Sequence, residues 1–369
     1  MRLLQKECGK CLRHPFLWIV CITFGLFQFL SIYTYVGNAG MRKELRQMHV
    51  AVTDEETASP EFERAYADYK KTYGGMYDTL DMRKILEQKE KMSGYEPQGV
   101  WGSWIVRNYD RLQKRVEQIR KTGEGTYDFY PGSWYKLHTT LYGKLWKKLI
   151  LQTAVLMILS MLYLMDYERI YKTQDLVLAT ITGKKMMEKK MLAGALCGLF
   201  YAGLLTAFTL LVFFAAVPFQ NLWHVPVAAC MVAEPRLQMM YPFVTFWRLE
   251  QWRYLLLALV VLVGLLGIVA AVTAAVQLFL QNSYFSFAVL GLLFMGAYLL
   301  AYVQMGNVWD LIRELFNPTV LYATSGGWFM ENDLCLSFAG NEFAVLFCSR
   351  TAAVCLMAVG KRRYHRLEV

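Results

Sequence analysis

Long apolar runs alternate with short charged stretches along this chain of 369 residues. The runs at 16–36, 149–165, 191–217, 253–280, 283–304 and 341–360 each approach the roughly 20 apolar residues with which an α-helix crosses a hydrocarbon core. The apolar stretch around Gln281–Tyr284 is about 50 residues long, far more than one crossing needs. The sequence QNSY therefore predicts a tight turn between two spans. Arg2, Lys6, Lys10 and Arg13 ahead of the first run would also suit a secretory signal. That run exceeds the usual apolar core of such signals, about 7–15 residues, and lacks a small-x-small site before Met41. The expected fold is an all-α polytopic membrane protein with six transmembrane helices and a helical extracytoplasmic insertion between the first two.

That insertion, residues 37–148, is neither apolar nor of low complexity. Ser59-Pro60-Glu61 reads as a helix start, with a capping side chain, Pro at the first helical position and an acid in the first turn. Asp78 reads as a second start, and Gly94 with Pro97 as its stop. In WIVRNYDRLQKRVEQIRK, Ile105, Tyr109, Leu112, Val116 and Ile119 recur at spacings of three and four and form one apolar face. Packed helical hairpins and a substrate-binding domain both fit this pattern. The loops at 218–252 and 305–340 are too rich in Trp, Phe, Tyr, Met and Pro for solvated connections. They read as interfacial or re-entrant segments, or as caps on the insertion.

Composition agrees with a membrane. The chain is 56% hydrophobic and 18% charged, against about 45–50% and about 25% in soluble domains. The formal charge of +10 shows no basic cluster interleaved with exposed aromatics, so nucleic acid is not an expected partner. Its distribution sets an orientation instead. Segments 1–15, 166–190 and 361–369 hold fourteen Lys and Arg, whereas the loops 218–252 and 305–340 hold Arg236, Arg248 and Arg313. The positive-inside rule then puts both termini in the cytoplasm of a multi-pass cell-membrane protein. The eight Cys lie in or beside apolar runs and make no disulfide framework.

Familiar catalytic patterns are missing. Gly183-Lys184-Lys185 lacks the upstream Gly and the hydroxyl of a phosphate-binding loop, so ATP is not an expected ligand of this chain. The five His are scattered without metal-ligand spacing, and no G-x-S-x-G occurs. Cys8-Gly-Lys-Cys11 with His14 outlines half of a metal or redox site, or two ordinary thiols on a juxtamembrane helix. Gly194 and Gly198 permit close helix packing in the third run. Arg350, deep in the last run, is expected to face protein and to find an acceptor there, which makes it a candidate for the pathway or its gate.

Between the second and third runs lies DYERIYKTQDLVLATITGKKMMEKKMLAG. Thr173 can cap a short helix carrying Leu176, Val177, Leu178, Thr180 and Ile181. Gly183 would close that helix, and Lys184 and Lys185 follow at once. An acidic residue after span two, then a short helix ending near Gly and a basic residue, then a Lys opening span three, resembles the coupling region of ABC-2 type transporter permeases. The matching residues are Glu168, Leu178, Thr180, Gly183, Lys184 and Lys189 or Lys190. Thr173 is followed by Gln174 where the family commonly has Thr-Gly, and Lys184 stands where Arg is frequent. The N-terminal stretch LLQKECGKCLRHP, the six runs and the Asn317-Pro318 loop agree with that family in architecture.

The resemblance implies the membrane subunit of a bacterial ABC exporter. It implies a second permease subunit, identical or similar, and cytosolic ATPase partners that hold the ATP and Mg. The coupling contact would fall on Glu168, Leu176, Leu178, Thr180, Ile181, Gly183, Lys184 and Lys185. The chain itself would be no enzyme and would carry no cofactor. Rival readings are a four-span permease that transmits force to surface partners, and a membrane sensor or scaffold whose extracytoplasmic domain binds a ligand.

Overall fold

The computed structural model describes residues 2–38, 40–42, 45, 60–93, 99–126, 134–173, 183–217, 219, 222–231, 242–303, 308–331 and 338–367. Six helices are long and apolar enough to cross a membrane, which makes this a multi-pass membrane architecture. They are the first span Pro15–Val36, the second Lys136–Met165, the third Met186–Ala216, the fourth Gln251–Leu280, the fifth Ser283–Ala301 and the sixth Asn341–Tyr364. Among the described residues there is no strand, and two isolated bridges, Pro226 with Glu250 and Thr245 with Met330, are the only sheet-like pairings.

The second span reaches back well before residue 149. A short helix at Trp134–His138 continues through a π-helical stretch, Thr139–Leu145, into Trp146–Met165. The lysines that read as polar flank in the sequence lie on this helix, with their ammonium groups over aromatic rings. Lys144 sits over Tyr35 at 5.1 Å and Lys147 over Tyr322 at 5.6 Å. An amphipathic Lys stem covers apolar surface while its charge finds a polar or aromatic partner, so Lys alone does not end a span. The predicted turn between the fourth and fifth spans is two residues long. Gln281 closes one helix in the left-handed region (φ 51°), and the Asn282 side chain accepts from the amides of Tyr284 and Phe285 to open the next.

The second and third spans form the most extensive helix pair, with the fourth and sixth next. Close approach of the first pair comes from the two glycines. A Cβ at Gly194 would stand 3.0 Å from Met161 Cα, and one at Gly198 3.0 Å from Met157 Cα. Gly326, beyond the fifth span, meets Gly143 of the π-helical stretch in the same manner.

Outside the spans, the helices before the second span include α1 (Arg2–Leu12), α2 (Pro60–Tyr73), α3 (Met82–Ser93) and α4 (Gly99–Thr122). The second helix of the insertion, α3, begins later than Asp78 suggests. Asp81 Oδ1 accepts from the Arg83 amide at 3.0 Å, which makes Asp81 the capping side chain. Tyr109, Leu112, Val116 and Ile119 of α4 are buried on one face as their spacing requires, with Ile105 packed beside them. They form a core with Tyr77, Met82 and Ile85, and with Ala228 and Val244 from the loop before the fourth span.

The loop before the sixth span folds back on the bundle. Its helix α5, Val308–Phe316, lies against the sixth span, where Ser349 Oγ donates to the Leu315 carbonyl at 3.1 Å. Asn317 Nδ2 donates to the Ala297 carbonyl of the fifth span at 2.8 Å. Ser349 is about 12 Å along the helix from Asn341, so this segment descends beside the span and does not merely cap it.

Candidate functional site

At the end of the bundle that carries α1, charged side chains from four parts of the chain converge. Helix α1 presents Leu4, Cys8, Cys11 and Leu12 to the spans. Glu7 shares that face and is 1% exposed. The helix is fixed at its C-terminal end because its last carbonyls find donors on the first and third spans. Trp18 Nε1 donates to the Leu12 carbonyl at 2.8 Å, and Tyr201 Oη to that of Cys11 at 3.4 Å.

Glu168 lies just past the second span, on the four-residue helix Tyr167–Ile170, and is buried. Its carboxylate is paired with Lys190 at the start of the third span and with Lys10 of α1, the latter at 3.4 Å. Lys10 also bonds Glu7 at 2.7 Å and stands 4.4 Å above the Tyr167 ring. Two residues earlier, Asp166 Oδ2 accepts from the Ser283 hydroxyl at 2.8 Å and from its amide at 3.4 Å, at the N-terminus of the fifth span. A carboxylate there is stabilised by the unsatisfied amides of that helix end. Lys361, near the end of the last helix, pairs with Glu188 at 3.2 Å. Carboxylates that are buried only against lysines cannot be left half-paired without a large desolvation cost, so the junction holds its elements in one arrangement. Partial burial also pushes the Cys8 thiol up to about 11, so it stays protonated at neutral pH.

The chain leaves the second span through a tight turn. Lys172 adopts φ 55°, and the Thr173 amide returns to the Glu168 carbonyl at 2.7 Å. The Thr173 hydroxyl donates to that same carbonyl at 3.4 Å, so its described role is to close the preceding turn. Of the helix expected over 173–182, residues 174–182, with Leu176, Leu178, Thr180 and Ile181, lie outside the described residues. Gly183, Lys184 and Lys185 form the first turn of the helix Gly183–Ala216. Of the two lysines that match the family pattern, Lys190 is 4% exposed and meets Glu168, while Lys189 is exposed. Sequence reasoning found Glu168 and missed Glu7 and Lys10. The spacing of Glu7 and Lys10 beside the apolar face of α1 was the available signal.

Arg350 is exposed on the sixth span, and the expectation of an acceptor from another span is not met. Its guanidinium lies near Gly267 of the fourth span, and among the described residues it makes no hydrogen bond or ion pair. Val345, Ser349 and Ala353 take up the buried stripe of this helix, and Arg350 lies beside it, exposed and against the fourth span at Gly267.

A second group of buried charges occupies the opposite end. Arg115 of α4 pairs with Glu124, 3% exposed, and donates from Nε to the Thr245 carbonyl at 3.1 Å. Tyr77 Oη donates to the carbonyls of Ala228 at 3.2 Å and Phe243 at 2.8 Å. Lys89 pairs with the fully buried Glu331, whose amide donates to the Val244 carbonyl at 2.9 Å. The insertion is thereby seated on both aromatic-rich loops. Beneath it Tyr142, His138, Tyr254 and Phe329 form a buried aromatic stack between the second and fourth spans.

Comparison with protein-family models, with curated proteins and with solved structures gave no match.

Proposed function

We propose that this chain is the membrane-spanning permease subunit of an ATP-driven ABC-2 type exporter. The observation that carries the reading is the junction at Glu168. The residues flanking segment 174–182 are bound to each other and to α1, so force applied to that segment would reach the second and third spans together. A cytosolic ATPase would contact Leu176, Leu178, Thr180 and Ile181, with Lys184 and Lys185 at the rim of the contact. ATP and Mg would sit on that partner. The junction end would be cytoplasmic, in keeping with the excess of Lys and Arg in the segments it collects, and the seated insertion would be extracytoplasmic. A second permease subunit would lie along the sixth span, where Arg350 lacks an acceptor and a guanidinium facing lipid alone is costly.

Replacing Leu178 and Ile181 together by Asp is expected to abolish co-purification of the ATPase and the coupling of its hydrolysis to the permease, with the permease still inserted. Unchanged co-purification and coupling would remove segment 174–182 from the contact. Orientation is tested with single cysteines at Lys114, which is exposed on α4, and at Lys184 in a background without native Cys. An impermeant maleimide added to intact cells should label position 114 and spare 184. Labelling of 184 alone would invert the topology.

A further inference from the structure

Along the contact of the first and second spans runs a line of polar side chains that the coupling reading does not use. On the first span it comprises Gln28, Ser31 and Tyr35, and on the second Gln152, Lys148 and Lys144. Spacings of three and four place each set on one helix face. Gln28 Nε2 donates to Gln152 Oε1 at 2.8 Å in full burial, which leaves the buried Gln28 Oε1 without a donor. One turn on, Lys148 Nζ donates to Ser31 Oγ at 3.0 Å and to Tyr35 Oη at 3.3 Å. Lys144 also stands over the Tyr35 ring, at 5.1 Å.

Lys148 therefore has neutral oxygens and aromatic faces as neighbours, Lys144 has the Tyr35 ring, and among the described residues neither meets a carboxylate. Ser31 is about 8 Å below the end of the first span, so Lys148 lies beneath the expected headgroup level. A cation at that depth is expensive unless an anion comes to it. The half-exposed Phe27, 5.3 Å from Lys148, marks a lateral opening to the surrounding lipid. On the neighbouring face of the first span an open apolar groove of about 350 Å³ is lined by Phe29, Ile32, Val36, Val212 and Ala216, with Arg42 at its polar end. That groove lies between the first and third spans and its cation is Arg42, whereas the apolar surface beside Lys148 is Phe27; an ammonium next to such lipid-facing surface suits a ligand with an anionic head and an apolar tail.

We propose that this seam binds the anionic head, phosphate or carboxylate, of a lipid-like amphiphile through Lys148 and Lys144, with Ser31 and Tyr35 holding the Lys148 ammonium in place. The site belongs to this chain alone and does not depend on the exporter reading.

The test uses the full chain purified in neutral detergent, with dodecyl phosphate as probe and the unfolding midpoint as readout. Dodecyl phosphate should raise the midpoint saturably, whereas inorganic phosphate and dodecyltrimethylammonium at equal concentration should not. Lys148→Met should weaken the dodecyl phosphate effect at least tenfold, Lys148→Arg should retain most of it, and Lys114→Met should leave it unchanged. If Lys148→Met does not fold, Tyr35→Phe and Ser31→Ala remove only hydroxyls and should each weaken binding severalfold. Wild-type affinity in Lys148→Met, or in both hydroxyl variants, would overturn the proposal. So would an equal response to the cationic amphiphile, and so would the lack of any saturable response. An equal response to inorganic phosphate would overturn the lipid-like ligand in favour of a free anion.

Discussion

Buried charges at the α1 end of the bundle join spans to one another, whereas those at the opposite end join the insertion to loops. Glu168, Lys10 and Lys190 lie within a few residues of span termini, so altering any one of them changes how α1 and two spans are held. Arg115 and Glu124 belong to the insertion, and their grip on Thr245 decides whether it stays seated while the spans keep their own contacts. The same chemistry thus ties spans to one another in one place and holds the insertion on its loops in the other. What differs is which covalent segments the charges bridge.

The largest expected effect breaks the retaining end. Arg115→Leu leaves the buried Glu124 only the largely exposed Arg248, 3.8 Å away, as a cation, and removal of one member of a buried pair costs about 3–5 kcal/mol. The insertion should then become sensitive to protease between α3 and α4, with the detergent-stable bundle unchanged. Loss of the whole bundle in this variant would mean that the two ends are not energetically separate. At the junction the effect should be smaller, because Lys10 remains 3.4 Å from Glu168 when Lys190 is lost. Lys190→Met is expected to cost about 1–3 kcal/mol in thermal stability. Adding Glu168→Leu should recover most of that stability, since an apolar pair of similar volume replaces a buried ionic one at little cost. Recovery of stability by the second substitution would sharpen the comparison, since it would mark the pair as ionic strain relieved rather than packing lost. The smallest effect lies between the ends, in steric packing. Gly198→Ala should destabilise by about 1–2 kcal/mol, independent of salt, by pressing on Met157. Gly203→Ala, with nothing within 4 Å of the added methyl, should stabilise by about 0.5–1 kcal/mol. Equal behaviour of the two variants in thermal denaturation would remove the close approach of the second and third spans from the account.

Much of the fold is legible in the sequence because a long apolar run has few options in a bilayer. The spans and the turn at Gln281-Asn282 follow from run length and from one capping side chain. The start of the second span does not, since Lys144, Lys147 and Lys148 look solvated in one dimension and find Tyr35 and Tyr322 only in three. The junction is half legible. Glu168 and a following lysine stand out beside the spans they serve, but Lys10 lies 158 positions from Glu168 and nothing local pairs them. The grip of Arg115 on Thr245 spans 130 positions and is equally silent. Arg350 misled for a different reason. Cost arguments say that an intramembrane Arg needs an acceptor, yet they do not say that the acceptor must belong to the same chain.

The helix that begins at Gly183 has 34 residues, about 51 Å of α-helix against a hydrocarbon core of about 30 Å. Its first eight residues, 183–190, carry four lysines and extend about 12 Å beyond the apolar run as a rigid arm. Gly194 and Gly198, pressed on Met161 and Met157, form its fulcrum. A tilt of about 10° about Gly198 would carry Gly183, about 22 Å away along the axis, through about 4 Å. Small rocking inside the bundle and a displacement the size of a side chain at its tip are then one motion.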